Sequence, residues 1–175
     1  CIRTMSIAED NSFEGLNQAI VNDFPYKLDT FQEESCLSLE KGHHVLCLAH
    51  TSAGKSTIAL YAIAKVLLEG KRLIYTAPVK SLSNQKYAEL KKKYGDDKVG
   101  LATGDNKINL EADILVMTTE ILRNMLSKPT WSTNGMTVDA EGVATEQQTK
   151  THEDPRLACV VFDEAHYIND RSRGN

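Results

Sequence analysis

The residues with the clearest chemistry lie in one stretch, His44-Val45-Leu46-Cys47-Leu48-Ala49-His50-Thr51-Ser52-Ala53-Gly54-Lys55-Ser56-Thr57. An apolar run leads into a turn of small residues, then a lysine, two hydroxyls and a long apolar helical pattern. A triphosphate presents negative oxygens on several sides. A loop that wraps it must turn backbone N–H groups inward and leave space where side chains would stand. Ala53 and Gly54 leave that space. Lys55 can set a point charge on the β and γ phosphates, the Ser56 hydroxyl can take a place on Mg²⁺, and the helix that opens there adds a positive dipole end. Thr51, Ser52 and Thr57 complete the set of nucleotide-contact candidates, Thr57 being the weaker one for the metal. The stretch departs from G-x-x-x-x-G-K-(S/T) at its first glycine, which is Ala49 here. A strand end at Gly54 with a solvated Lys55 is the plain alternative; strand, loop and helix in that order favour the phosphate loop.

A second pair of chemically suggestive residues, Asp163-Glu164, follows the apolar run Ala158-Cys159-Val160-Val161-Phe162. An Asp at the end of a buried strand can hold Mg²⁺, usually through the ion's waters. The adjacent Glu can orient or deprotonate an attacking water. Alone such a pair means little; downstream of a phosphate loop, and followed by His166, it reads as the second half of an ATPase.

These groups need a scaffold, and the apolar periodicity supplies one. Strands are expected at 45–49, 72–76, 99–102, 114–117 and 157–162, with helices at 56–69, 81–94 and 121–126. Thr30 and Glu33 have the spacing of a capping box that opens a further helix to about Glu40, stopping at Gly42. The helix after the phosphate loop is apolar almost all round, as a helix packed on a sheet would be. Strands alternating with helices at these lengths predict an α/β fold, a parallel sheet covered on both faces. Ligand sites in such sheets lie at the carboxyl ends of the strands. The phosphate loop, Pro78, Thr103-Gly104-Asp105, Thr118-Thr119 and Asp163-Glu164 all follow strands directly. From 127 to 155 the pattern gives way to Ser, Thr, Gly, Asn, Gln and acidic residues around a single Trp131, which reads as a solvated surface insertion.

At 175 residues, 41% of them apolar, the chain can bury a core as one domain. Its 20 Lys+Arg against 24 Asp+Glu confine any nucleic-acid contact to a local face. Lys86 and Lys91-Lys92-Lys93 are read as a solvated helix face. Cys1, Cys36, Cys47 and Cys159 are widely spaced and suggest reduced, packed thiols; neither they nor His43-His44 have the spacing of a zinc site. No apolar run approaches ~18 residues, so no membrane span is expected. The N-terminus lacks the pattern of a signal peptide. An intracellular protein is the default reading.

Taken together, the residues identify a family resemblance. Residues 24–32 and 49–56, then Tyr75-Thr76-Ala77-Pro78-Val79-Lys80-Ser81-Leu82-Ser83-Asn84-Gln85-Lys86-Tyr87, Thr103-Gly104-Asp105, Val116-Met117-Thr118-Thr119-Glu120-Ile121-Leu122-Arg123 and Asp163-Glu164-Ala165-His166-Tyr167 resemble, in order, the motifs of the superfamily 2 DExH helicases. Within these the likeness is to the exosome-feeding, superkiller-type RNA helicases, and it covers about residues 22 to 175. It implies a RecA-like P-loop NTPase fold, a lead-in at 1–22 and a first RecA-like domain over 23–175. That domain is expected to be cut inside its fold, with a second RecA-like domain absent.

The resemblance also implies roles. Tyr26 would stack on adenine and Gln32 would hydrogen-bond its edge. Lys55, Asp163, Glu164 and His166 would be catalytic, with Mg²⁺ on Ser56 and Asp163 and with His166 coupling the γ-phosphate site to the second domain. Pro78, Lys80, Ser81, Thr103, Gly104, Thr118, Thr119 and Glu120 would hold single-stranded RNA by its backbone. Ala49 is a tolerated departure. Ser56 stands where Thr is usual and Ala165 where a bulkier apolar residue is usual. ATP and Mg²⁺ are the implied ligands, and the RNA exosome with its adaptors the implied partners. The stretches 24–26 and 105–109 lean toward the nuclear type, in nucleolus or nucleoplasm, over the cytoplasmic one. A DNA helicase of the same superfamily and a non-hydrolysing, nucleotide-gated RNA-binding module are the alternatives. By itself the stretch is expected to be inactive, because an arginine finger would come from the second domain.

Overall fold

The computed structural model describes residues 15–50, 53–127 and 154–169. Thr51, Ser52, Trp131 and nearly all of the 127–155 stretch lie outside the described residues. The chain divides into two compact units, Cys1–Ala62 and Ile63–Asn175.

In the first unit, α1 (Gln18–Val21) and α2 (Thr30–Glu40) precede α3 (Lys55–Leu68), whose first turns belong here. The cap of α2 is shifted by one residue from the expected Thr30 and Glu33. Asp29 is the N-cap and Gln32 the reciprocal partner, its Oε1 accepting from the Asp29 N–H at 2.9 Å. Both pairs have the same spacing, so only the helix start itself could choose between them. Ile20, Leu28, Cys36, Ile58 and Tyr61 are buried. The Tyr61 hydroxyl donates to Glu40 at 2.6 Å and accepts from the Asn17 N–H at 2.9 Å, so one buried phenol ties the three helices of this unit together.

The expected strand at 45–49 is not formed. Residues 43–50 join no ladder, and Leu46 and Leu48 are 75% and 81% exposed. An apolar run becomes a strand only where a neighbouring strand completes its backbone hydrogen bonds, and among the described residues none is paired with it.

The second unit is built on a five-stranded sheet. Its strands are β1 (Arg72–Ala77), β2 (Val99–Ala102), β3 (Lys107–Ile108), β4 (Ile114–Thr118) and β5 (Leu157–Phe162), in the order β3-β2-β4-β1-β5. The neighbours β2–β4, β4–β1 and β1–β5 run parallel. The two-residue β3, antiparallel to β2, makes the sheet mixed where an all-parallel one was expected. It is the return arm of a tight turn in which Thr103 N–H donates to the Asn106 carbonyl at 2.8 Å and Asn106 N–H to Thr103 Oγ1 at 3.1 Å. A pairing this short has no periodicity to read. Every residue of β1, β2 and β4 is buried, which accounts for their largely apolar sequence.

Two helices cover the two faces. Lys86 of α4 (Lys80–Tyr94) lies over the Tyr75 ring at 6.0 Å on one face. On the other, Leu122 of α5 (Thr119–Leu126) packs with Ile74, Ala102, Leu115 and Met117. Three lysines in the last turn of α4 suit the negative end of its dipole, and Gly95 ends it at φ 96°. Gly100 of β2 is required by a close approach: a Cβ there would stand 2.0 Å from the Asn109 carbonyl oxygen.

The described cysteines Cys36, Cys47 and Cys159 are free thiols. Burial, then the charges of Glu40 and Glu33, push Cys36 up to about 12, so it carries no thiolate chemistry.

Candidate nucleotide and RNA sites

In the first unit the turn into α3 is held from three sides. Gly54 adopts φ +80°, open to glycine and costly to other residues, and a Cβ there would meet Gln32 Nε2 at 2.3 Å. Gln32 is 4% exposed with both ends of its amide engaged: Oε1 on Asp29 as above, Nε2 donating to the Gly54 carbonyl at 3.1 Å and to Thr57 Oγ1 at 3.4 Å. Its position thus couples the cap of α2 directly to the loop. The Thr57 hydroxyl is buried and shared with the Tyr26 hydroxyl at 2.9 Å, so it serves the fold, whereas Ser56 is exposed. Tyr26 itself is half exposed, its ring 5.8 Å from that of Phe24. The Lys55 ammonium donates to the carbonyls of Ala49 at 2.7 Å and His50 at 2.9 Å. A phosphate would replace two neutral acceptors with charged ones, an exchange that favours the anion.

In the second unit the parallel strands bring the remaining candidates to one edge. Because Ala77 is in register with Thr118, Ala102 with Met117 and Thr76 with Phe162, the carboxyl ends of β1, β2, β4 and β5 lie side by side. From them emerge Pro78-Val79-Lys80-Ser81, Thr103-Gly104, Thr118-Thr119-Glu120 and Asp163-Glu164. Lys80 and Ser81 are exposed at the start of α4, and Gly104 lies against the Lys80 stem. Thr103 and Thr118 are buried, and their hydroxyls hold local structure. Thr103 Oγ1 closes the β2–β3 turn, and Thr118 Oγ1 caps α5 by accepting from Ile121 N–H at 3.4 Å. Thr119 is half-buried and Glu120 exposed.

Three features of this unit were not assigned from sequence. Asp105, on the turn beyond Gly104, pairs with Lys80 at 2.5 Å, so any anionic ligand at Lys80 would compete with a carboxylate already in place. The Tyr75 hydroxyl donates to Asp163 Oδ2 at 2.6 Å. Arg72 is buried on Asp154, its guanidinium 2.7 Å from the carboxylate. For Tyr75 and Arg72 the available signal was a polar group inside an apolar strand, which must find a partner. Burial, then the hydrogen bond and charge of Asp163, push the Tyr75 phenol far up, so it remains a donor.

Asp163 Oδ1 accepts from the Glu164 N–H at 2.9 Å, and its own N–H donates to the Thr76 carbonyl at 2.9 Å. Glu164 turns sharply at φ 52° and its carboxylate meets His166 Nδ1 at 3.1 Å. His166, exposed in the 3₁₀ helix Ala165–Asn169, lies with its ring 4.6 Å from that of Tyr167. Among the described residues no three His, Cys, Asp or Glu gather into a metal cage. The fit of Mg²⁺ rests on the Asp163 carboxylate, whose hard oxygens each accept one hydrogen bond and keep further lone pairs. Such an ion is held by one or two carboxylates together with substrate phosphates.

Residues 29–175 match the DEAD/DEAH box helicase family. The chain belongs to the DEAD/DEAH box helicases. The α/β sheet described above is accordingly that of a RecA-like P-loop fold, and the superkiller-type resemblance holds among its relatives. The "Antiviral helicase SKI2" of Saccharomyces cerevisiae is 40% identical over 168 residues, 94% of this chain and 11% of that protein. The "ATP-dependent RNA helicase mtr4" of Schizosaccharomyces pombe is 46% identical over 151 residues, 86% of this chain and 12% of the relative. The "DExH-box ATP-dependent RNA helicase DExH9" of Arabidopsis thaliana is 44% identical over 158 residues, covering 90% and 14%. The chain thus spans a small part of these helicases' length. Among the described residues no helix is long and apolar enough to cross a membrane.

Proposed function

We propose that this chain is the first motor domain of an ATP-dependent RNA helicase that translocates on single-stranded RNA and feeds it to the exosome, in the nucleus. The observation that carries the reading is the shared sheet edge. Asp163-Glu164 at the end of β5 stands in the same row as the Lys80, Thr103-Gly104 and Thr118-Thr119 stretches, so one rigid sheet links the hydrolytic pair to the proposed RNA contacts. The exposed Ser81 hydroxyl, backbone N–H groups and helix starts suit phosphate oxygens and carry no base information, as a translocating motor requires.

The roles follow from residue chemistry. Tyr26 offers its half-exposed ring to adenine, whereas Gln32, its amide committed to Asp29, Gly54 and Thr57, shapes the loop instead of reading the base. Lys55 is the cation for phosphate, and Asp163 is the residue that would hold Mg²⁺. When bound, that ion would supply positive charge to the phosphate oxygens. Glu164 takes the proton of the attacking water, and His166, 3.1 Å away, holds its carboxylate. A second RecA-like domain, elsewhere in the full-length protein, provides the arginines, whose loss costs ~10³ to 10⁵ in rate. The names of the relatives, two of them ATP-dependent RNA helicases, support RNA as the track.

The test is a steady-state ATPase assay on the full-length protein with single-stranded RNA or DNA of one length. Stimulation by RNA well above that by DNA is expected. Equal or greater stimulation by DNA would make it a DNA helicase, and nucleotide binding without hydrolysis on either strand would make it a gated binding module.

A further inference from the structure

Tyr75 is the one hydroxyl-bearing aromatic of β1, and it is 3% exposed. In register it stands opposite Val161, two residues before Asp163. Its side chain reaches along β5 past Val161 and donates to Asp163 Oδ2 at 2.6 Å, while Glu164 N–H takes Oδ1 at 2.9 Å. A carboxylate can only accept and a phenol has one proton to give, so the direction of this bond is fixed. The backbone beneath is equally fixed: Asp163 N–H donates to the Thr76 carbonyl, and Thr76 Oγ1 to the Val161 carbonyl at 3.0 Å. The ring stands on the face that α4 covers, under the Lys86 ammonium. A buried strand residue thus clamps one oxygen of the exposed-edge carboxylate, and the rotamer of Asp163 follows.

We propose that Tyr75 is a positioning residue for the divalent cation, its phenol holding the Asp163 carboxylate in one orientation for binding that ion. The inference rests on the reading of Asp163 as a metal-holding residue. Groups that orient a ligating carboxylate typically change metal affinity by about 10- to 100-fold when removed. A tyrosine that merely satisfied its own buried hydroxyl would have no such effect.

The experiment compares wild type, Tyr75→Phe and Asp163→Asn in the full-length protein. Mn²⁺ binding to the complex with a non-hydrolysable ATP analogue is followed by the loss of the free-ion paramagnetic signal, and analogue affinity is measured separately in EDTA. Tyr75→Phe keeps the ring and the strand. It should weaken Mn²⁺ binding by about 10-fold or more and leave the EDTA affinity unchanged. Mn²⁺ binding at the wild-type level in Tyr75→Phe, with Asp163→Asn impaired, overturns the positioning role and leaves Asp163 in place. Mn²⁺ binding at the wild-type level in Asp163→Asn removes Asp163 from the metal and overturns the reading underneath. A Tyr75→Phe protein that also loses analogue affinity in EDTA is structurally disturbed, which overturns the specific role as well.

Discussion

Glu164→Gln in the full-length protein is expected to slow ATP hydrolysis by ~10² to 10⁴, the usual worth of a positioned general base, while nucleotide binding persists. The amide keeps the size of the carboxylate and cannot take a proton from water. The left-handed turn at Glu164 and the bond from its N–H to Asp163 are backbone features and survive the change. What is lost is the base and the charge that meets His166 Nδ1. Single-turnover hydrolysis, with binding of a fluorescent ATP analogue alongside, separates the two effects. Near-normal turnover would remove Glu164 from its role.

Asp154→Ala is expected to destabilise the second unit strongly. Arg72, 1% exposed at the start of β1, donates to Asp154 Oδ2 at 2.7 Å, to the Ala112 carbonyl at 2.9 Å and to the Leu110 carbonyl. Its own N–H meets the Arg156 carbonyl at 2.7 Å, so this corner ties the start of β5 to β1. Removing the carboxylate takes a hydrogen-bonded counter-charge from a buried guanidinium, and breaking such a buried pair costs about 3–5 kcal/mol. Urea unfolding measures it, and a loss under about 1 kcal/mol, the scale of an exposed pair, would contradict the assignment.

The pH dependence has a definite sign. Burial works to raise the Asp154 carboxyl, but the hydrogen bond and charge of Arg72, with those of Arg156, outweigh it and hold it below its ordinary 3.8. A carboxyl depressed in the folded state stabilises fully above that ordinary value and loses the contribution as pH falls through the lower, folded one. The gap between wild type and variant should therefore be complete at neutral pH and narrow only below 3.8.

The sheet of the second unit was legible because β1, β2 and β4 are buried on both faces, and burial writes itself as largely apolar sequence. Their ends were legible for the same reason: Pro78, Thr103 and Thr118 are where those runs stop, while Asp163 is where the apolar but only partly buried run of β5 stops. What could not be read are pairings between residues distant in the chain. Tyr75 and Asp163, Arg72 and Asp154, and Lys80 and Asp105 each join segments with no periodic relation, and a buried Tyr or Arg announces only that some partner exists. The run at 45–49 shows the converse, since apolar character without a paired neighbour leaves Leu46 and Leu48 exposed. The cap of α2 failed by one residue because two overlapping pairs fit the same rule.

The phosphate loop is the centre of the account, and Lys55 is its most exacting residue. In the structure its ammonium rests on the Ala49 and His50 carbonyls, which mark where a charged ligand would displace neutral acceptors. Hydrogen bonds to charged groups contribute roughly 1.5–3 kcal/mol, so Lys55→Ala should weaken ATP by about ten-fold or more, and Lys55→Arg, which keeps the charge, by less. The measurement is a calorimetric titration of Mg-ATP into wild type and both variants. A graded loss, Ala beyond Arg, is the predicted result; an ATP affinity unchanged in Lys55→Ala would contradict the phosphate-site assignment on which the rest depends.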